Sequence, residues 1–133
     1  MKQTPGAIGY VELAYATQNK MNMASVKNAA GEFVAPSIAS VTAAAAAAAA
    51  SLPANTDYRV SVVNAKGAGA YPISSFTWII AYTRQADAAK GKKLTDFLRW
   101  ALNDGQGMEP ALDYAPLPEG MRTALLTRVD SIK

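Results

Sequence analysis

The chain has no cysteine and no histidine among its 133 residues. Without cysteine there are no disulfides, no thiolate metal sites and no cysteine nucleophiles. Without histidine, the commonest base near neutral pH and the commonest metal ligand are missing. Charge is sparse too: 13 basic and 10 acidic residues make up 17% of the chain and leave a net charge of +3. The basic residues are scattered apart from Lys90, Lys92 and Lys93, and no aromatic residues interleave with them. A nucleic-acid binder concentrates positive charge on one face, so no nucleic-acid partner is expected. Long hydrophobic runs are also lacking. The eight alanines at 43–50 fall well short of the roughly 20 apolar residues that a membrane span needs. Met1-Lys2 leads straight into Gln3-Thr4-Pro5-Gly6 with no apolar leader, so no signal peptide is expected.

What is present is hydrophobic material, half of all residues, which excludes a disordered chain. The length suits one ordinary domain or a piece of something larger. Thr4-Pro5-Gly6 is a turn signal, and residues 7–11 then read as a short buried strand. Residues 12–18 have helical spacing. Ser25-Val26-Lys27 and Glu32-Phe33-Val34 flank a turn at 28–31 and read as a hairpin, with Gly31 supplying a positive φ. Pro36 suits the first turn of a helix. The stripe Ile38, Val41, Ala45, Ala48 and Leu52, together with the alanine run, predicts a packed helix ending near Pro53. Residues 57–64 alternate as a strand does.

The run Tyr71-Pro72-Ile73-Ser74-Ser75-Phe76-Thr77-Trp78-Ile79-Ile80-Ala81-Tyr82 is apolar on both faces. That pattern predicts a strand covered on both sides, as in the central sheet of an α/β protein. Asp87 can start a helix in which Leu94, Phe97, Leu98, Ala101 and Leu102 form the core stripe. Gly105 and Gly107 are read as its stop. Pro118 opens a last helix with Met121, Leu125, Val129 and Ile132 on one side. Strands mixed with helices of this length predict α/β.

Candidate chemistry is thin. Lys66-Gly67-Ala68-Gly69 invites comparison with a phosphate loop, but in such loops the lysine follows the glycines. A plain connecting loop is the better reading. Ser74, Ser75 and Thr77 offer three hydroxyls near a strand start, where open α/β sheets bind ligands, but no histidine exists to activate them. Asp104-Gly105-Gln106-Gly107 lacks the alternating oxygen ligands and closing glutamate of a calcium loop. The ten carboxylates show no spacing that identifies a metal or acid–base pair. No catalytic residue, metal ligand or cofactor is assigned, and the chain is not expected to be an enzyme.

Four segments, correctly ordered, carry a family resemblance: Thr4-Pro5-Gly6-Ala7-Ile8-Gly9-Tyr10-Val11-Glu12, Tyr58-Arg59-Val60-Ser61-Val62-Val63-Asn64-Ala65, the run at 71–82, and Asp113-Tyr114-Ala115-Pro116-Leu117-Pro118. Together they resemble the C-terminal part of the periplasmic phosphate-binding protein of bacterial phosphate ABC importers. The resemblance implies an α/β, periplasmic-binding-protein type II-like fold of two lobes, of which only the C-terminal portion is present. It implies that residues 1–70 end the second lobe, 71–82 form the crossover or hinge, and 83–133 return to the first lobe. For the intact parent it implies a periplasmic location, inorganic phosphate as ligand and an ABC permease as partner. The family's phosphate contacts lie upstream of the Thr-Pro-Gly-Ala-Ile-Gly-Tyr motif, so no ligand-binding residue is matched in this chain. Two expectations follow. The chain is a fragment without the ligand-contacting segments, or, stripped of covering surface, it is a self-associating structural module, a swapped dimer or other homo-oligomer.

Overall fold

Local capping chemistry decides where two helices of this protein begin, and its computed structural model describes residues 3–53 and 56–133. The reading of Met1-Lys2 as a start without a leader falls outside the described residues. Among the described residues six elements are regular: α1 (Leu13–Gln18), β1 (Val26–Lys27), β2 (Phe33–Val34), α2 (Ile38–Ala49), α3 (Ala88–Leu102) and α4 (Glu119–Asp130). A 3-10 segment, Asp104–Leu112, joins α3 to α4.

The hairpin forms as its sequence predicts. Val26 pairs with Val34 and Lys27 with Phe33, antiparallel. Asn28 Oδ1 accepts from the backbone N–H groups of Ala30 and Glu32, which ties the turn. Gly31, at φ 86°, takes the left-handed conformation that glycine permits without strain.

Ser37 caps α2. Its Oγ accepts from Ser40 N, while Ser40 Oγ accepts from Ser37 N, a reciprocal capping box. Pro36 therefore sits outside the helix, ahead of the cap, rather than in its first turn. The side of α2 bearing Ser40, Ala44, Ala45 and Ala48 is buried. Small side chains let the 65–70 loop come close: a Cβ on Gly67 would stand 3.0 Å from Ala47 Cβ. Tyr71 N also donates to Ser40 O at 3.0 Å, fixing the loop's exit to the helix.

Asp87 caps α3 by accepting from Ala89 N and Lys90 N. Gly91, Thr95 and Leu98 are its buried residues, whereas Phe97, expected in the core stripe, is exposed beside Trp100 at a ring-centroid distance of 5.9 Å. Asn103, at φ −112° and ψ −93°, ends the helix. The two glycines read as its stop lie inside the following 3-10 segment. Gly105 fits closely there: a Cβ would meet Trp100 O at a tight 3.3 Å. In α4, Met121 and Val129 are buried and Leu125 half-buried, as the stripe predicts, while Ile132, also half-buried, lies past the helix end. The α3–α4 pair is tied by Arg99 Nη2 to Asp130 Oδ1 at 2.8 Å.

Three predicted strands do not form a ladder. Residues 7–11 carry no regular structure, and Ile8 and Tyr10 are 98% and 94% exposed. Residues 57–64 are broken up by local bonds: Thr56 Oγ1 takes Tyr58 N, Asp57 Oδ1 takes Arg59 N and Ser61 Oγ takes Val63 N. Such side-chain acceptors compete with strand pairing. Tyr58 and Asn64, at φ 64° and 51°, also turn the chain out of the extended region. The run at 71–82, expected to be covered on both faces, joins no strand pair among the described residues and is open, with Ile80 96% and Tyr82 84% exposed.

The surface area tells the same story. The chain exposes 9443 Å², whereas a folded monomer of its mass, 14.0 kDa, is expected to expose about 6,700 Å². Among the described residues no helix is long and apolar enough to cross a membrane.

Candidate functional site

The most developed polar junction lies where the β1–β2 turn meets the 65–70 loop. Asn28 is 6% exposed and uses its whole amide. Its oxygen ties the turn, and its nitrogen donates to Ala70 O and to Glu32 Oε2, each at 3.2 Å. Glu32 Oε2 also accepts from Gly69 N at 2.8 Å. Gly69 sits at φ 66°, a conformation open to glycine that lets its N–H face the hairpin. The Gly69 N–H, and then the Asn28 amide, hold the Glu32 carboxyl below its ordinary value.

Beside this junction is an open depression of about 330 Å³ lined by Ala29, Ala30, Lys66, Gly67 and Ala68. Lys66-Gly67-Ala68-Gly69 thus does border a concavity, but it is not built as an anion cradle. Gly69 N is engaged by Glu32, Gly67 N by Ala65 O and Ala70 N by Gly67 O. The Gly69 N–H that such a loop would offer an oxyanion is already taken by the Glu32 carboxylate. Chemically, the arrangement fastens two segments together.

The hydroxyls at 74–77 do not converge. Ser74 is buried and donates to Tyr71 O at 2.8 Å, closing a turn, while Ser75 Oγ donates to Phe76 O. Trp78 Nε1 donates to Tyr58 O at 3.0 Å and pins the 57–64 segment against the 71–82 run. Phe76 meets Trp78 edge-on at 6.2 Å.

The carboxylates are likewise dispersed. Asp57 bonds Arg59, Asp96 bonds Lys92, and Asp130 bonds Arg99. The Arg59 backbone N–H and guanidinium hold Asp57 below its ordinary value. Among the described residues no group of three or more acidic, histidine or cysteine residues could hold a metal ion. Asp104-Gly105-Gln106-Gly107 folds as 3-10 helix with Gln106 turned inward. Its amide bonds Ala101 O and Glu109 Oε1, each at 2.9 Å, and accepts from Leu117 N at 2.8 Å. Burial raises the Glu109 carboxyl, against the Gln106 bond that lowers it.

Sequence reasoning placed Asn28 only as a turn residue and gave Gln106 no role of its own. Each acts through partners far along the chain, Ala70 and Leu117. The one local signal for Asn28 was its position at the start of a turn closed by Gly31, where asparagine commonly bonds the backbone ahead of it.

Comparison with known proteins completes the description. The model of the PBP superfamily domain matches residues 1–104. The chain is 42% identical over 121 residues to the phosphate-binding protein PstS of Xylella fastidiosa, covering 91% of this chain and 33% of that protein. It is 35% identical over 142 residues to the phosphate-binding protein PstS of Methanocaldococcus jannaschii, covering 100% of this chain and 36% of the other. With the phosphate-binding protein PstS of Pasteurella multocida the identity is 38% over 113 residues, covering 85% and 32%. The chain therefore spans about a third of the length of the curated relatives it matches.

Proposed function

We propose, since this chain belongs to the PBP superfamily, that it is part of a phosphate-binding protein serving ABC-type phosphate import. The observation that carries this reading is the alignment along most or all of the chain with proteins named for phosphate binding in two bacteria and an archaeon. The intact protein would be a two-lobed binding protein acting in the periplasm and delivering phosphate to a membrane permease. Residues 1–70 would complete one lobe, 71–82 would cross between lobes, and 83–133 would return to the other. Its role would be capture and release rather than catalysis.

A tight phosphate site must replace the anion's hydration shell with converging donors. The loop that most resembles such a site already gives its Gly69 N–H to Glu32. This chain would accordingly supply scaffold and crossover, and the phosphate contacts would come from other segments of the longer protein. Calorimetric titration of the isolated chain with inorganic phosphate is expected to give no saturable heat. Micromolar or tighter binding would overturn the division of labour proposed here.

A second reading draws on the exposed apolar residues Ile8, Tyr10, Ile80 and Tyr82. A chain with this much uncovered surface would self-associate as a swapped dimer or oligomer. Sedimentation as a monomer at high concentration would count against it.

A further inference from the structure

We propose that the outward seam of α3 is an interface with a second copy of this chain, the two helices antiparallel about a two-fold axis between Phe97 and Trp100. The proposal rests on the self-association read above and gives it a surface and a symmetry. Lys90, Lys93, Phe97, Trp100 and Asp104 follow one another at steps of three, four, three and four residues. That is the spacing of a helix seam which faces another helix. All five residues are exposed. The seam lies away from the side of α3 that carries the buried Gly91, Thr95 and Leu98. At its centre stand two aromatic rings, Phe97 54% and Trp100 46% exposed, with centroids 5.9 Å apart. Asp104 opens the 3-10 segment just past the helix. Its neighbour Gly105 packs on the Trp100 ring, where a Cβ would stand 3.5 Å from Cζ3, and this keeps Asp104 at the Trp100 end of the seam.

Charge identifies the occupant. One end of the seam is basic, with Lys90 and Lys93, and the other is acidic, with Asp104. Turned end for end about the axis, the seam meets itself with Phe97 against Trp100 and Lys93 against Asp104, each contact made twice. A parallel copy would instead set lysine on lysine and aspartate on aspartate, which is repulsive. The charges on the neighbouring flank of α3 are already matched within the chain. Lys92 lies 2.7 Å from Asp96, and Arg99 lies 2.8 Å from Asp130. Lys90, Lys93 and Asp104, by contrast, make no ion pair among the described residues. A partner with a purely apolar face would cover the two rings but leave the seam's charges buried without counter-charges, which is costly. A second copy supplies both the rings and the opposite charges, and exposed aromatic rings are favoured anchors at such contacts.

The test uses the full chain, by sedimentation equilibrium and by carbodiimide cross-linking, which joins a lysine amine to a carboxylate as an amide with loss of water. The unaltered chain is expected to sediment as a dimer, and its cross-linked dimer should contain a Lys93–Asp104 peptide. Within one copy α3 separates these two residues by about 14 Å of helical rise, too far for a direct amide. Lys93→Glu and Asp104→Lys should each raise the dimer dissociation constant by about tenfold or more, because two like-charge contacts replace two attractive ones. An equimolar mixture of the two variants should associate as tightly as the parent, since both contacts across the axis are then again between opposite charges. A chain that stays monomeric at every concentration would overturn both this proposal and the self-association reading. A dimer that lacks the Lys93–Asp104 peptide and is indifferent to both charge reversals would overturn this proposal and leave that reading in place.

Discussion

Asn28 joins three things at once: its own turn, the Glu32 carboxylate and the Ala70 carbonyl. Replacing it with alanine leaves two turn N–H groups and a buried carbonyl without their partner. Asn28→Ala is therefore expected to cost about 2 kcal/mol in urea unfolding. Gly67→Ala should be felt as well, because its methyl would stand 3.0 Å from Ala47 Cβ. A loss of about 1 kcal/mol is expected unless the loop moves off α2. The two perturbed glutamates give opposite pH responses. Glu32 is lowered in the fold, so its stabilising contribution is present above its ordinary value and is lost as pH falls through its folded value. Glu109 is raised, so its contribution is present below the ordinary value and is lost as pH rises through the folded one. Urea midpoints should show Glu32→Gln weaker than the parent at neutral pH, the gap closing on acidification. Glu109→Gln should be stronger than the parent at neutral pH, with that gap closing in acid too.

Elements whose stabilising bonds are local were legible in the sequence, and those that need distant partners were not. Asp87 caps residues two and three positions ahead, and the Asn28 turn closes within four. The hairpin and the helices were accordingly found, with errors at their ends and one within α3: Pro36 was placed two steps too far in, the glycines at 105 and 107 were given a role that Asn103 fills, and Phe97 was put in the core though it is exposed. The 71–82 run was read correctly as apolar on both faces, but apolarity names a need for cover and says nothing about whether this chain meets it. The 57–64 segment was misjudged because alternation hid the Thr56, Asp57 and Ser61 side chains that capture its N–H groups. The cap of α2 offers a direct check on this local control. Ser37→Ala removes the acceptor for Ser40 N and should cost about 1 kcal/mol. Far-UV circular dichroism on heating should show the helix signal fading several degrees earlier.

For the whole molecule, excess surface outweighs any single bond. The ion pairs lie on exposed side chains and each contributes at most about 1 kcal/mol, so they cannot offset an uncovered strand. The isolated chain is expected to bind an apolar dye such as ANS in its native state and to melt over a broad range. A sharp calorimetric transition without dye binding would contradict this. The candidate site follows the same rule of scale. The sequence yielded the family from four ordered segments, yet it yielded no ligand contact. The donors for an anion must converge from segments far apart in sequence, which local spacing does not reveal.

The alanine run of α2 has a consequence of another sort. Eight identical residues carry no address: the Ser37–Ser40 box sets the phase of the helix from one end, and whichever alanine falls at the position of Ala47 presents the same methyl to Gly67. An alanine gained or lost within the run leaves the cap and the Gly67 seat as they were. The change is exported as about 1.5 Å and 100° to the turn after Ala49. The run is thus a spacer, and the surrounding structure registers a change in its length at one end only.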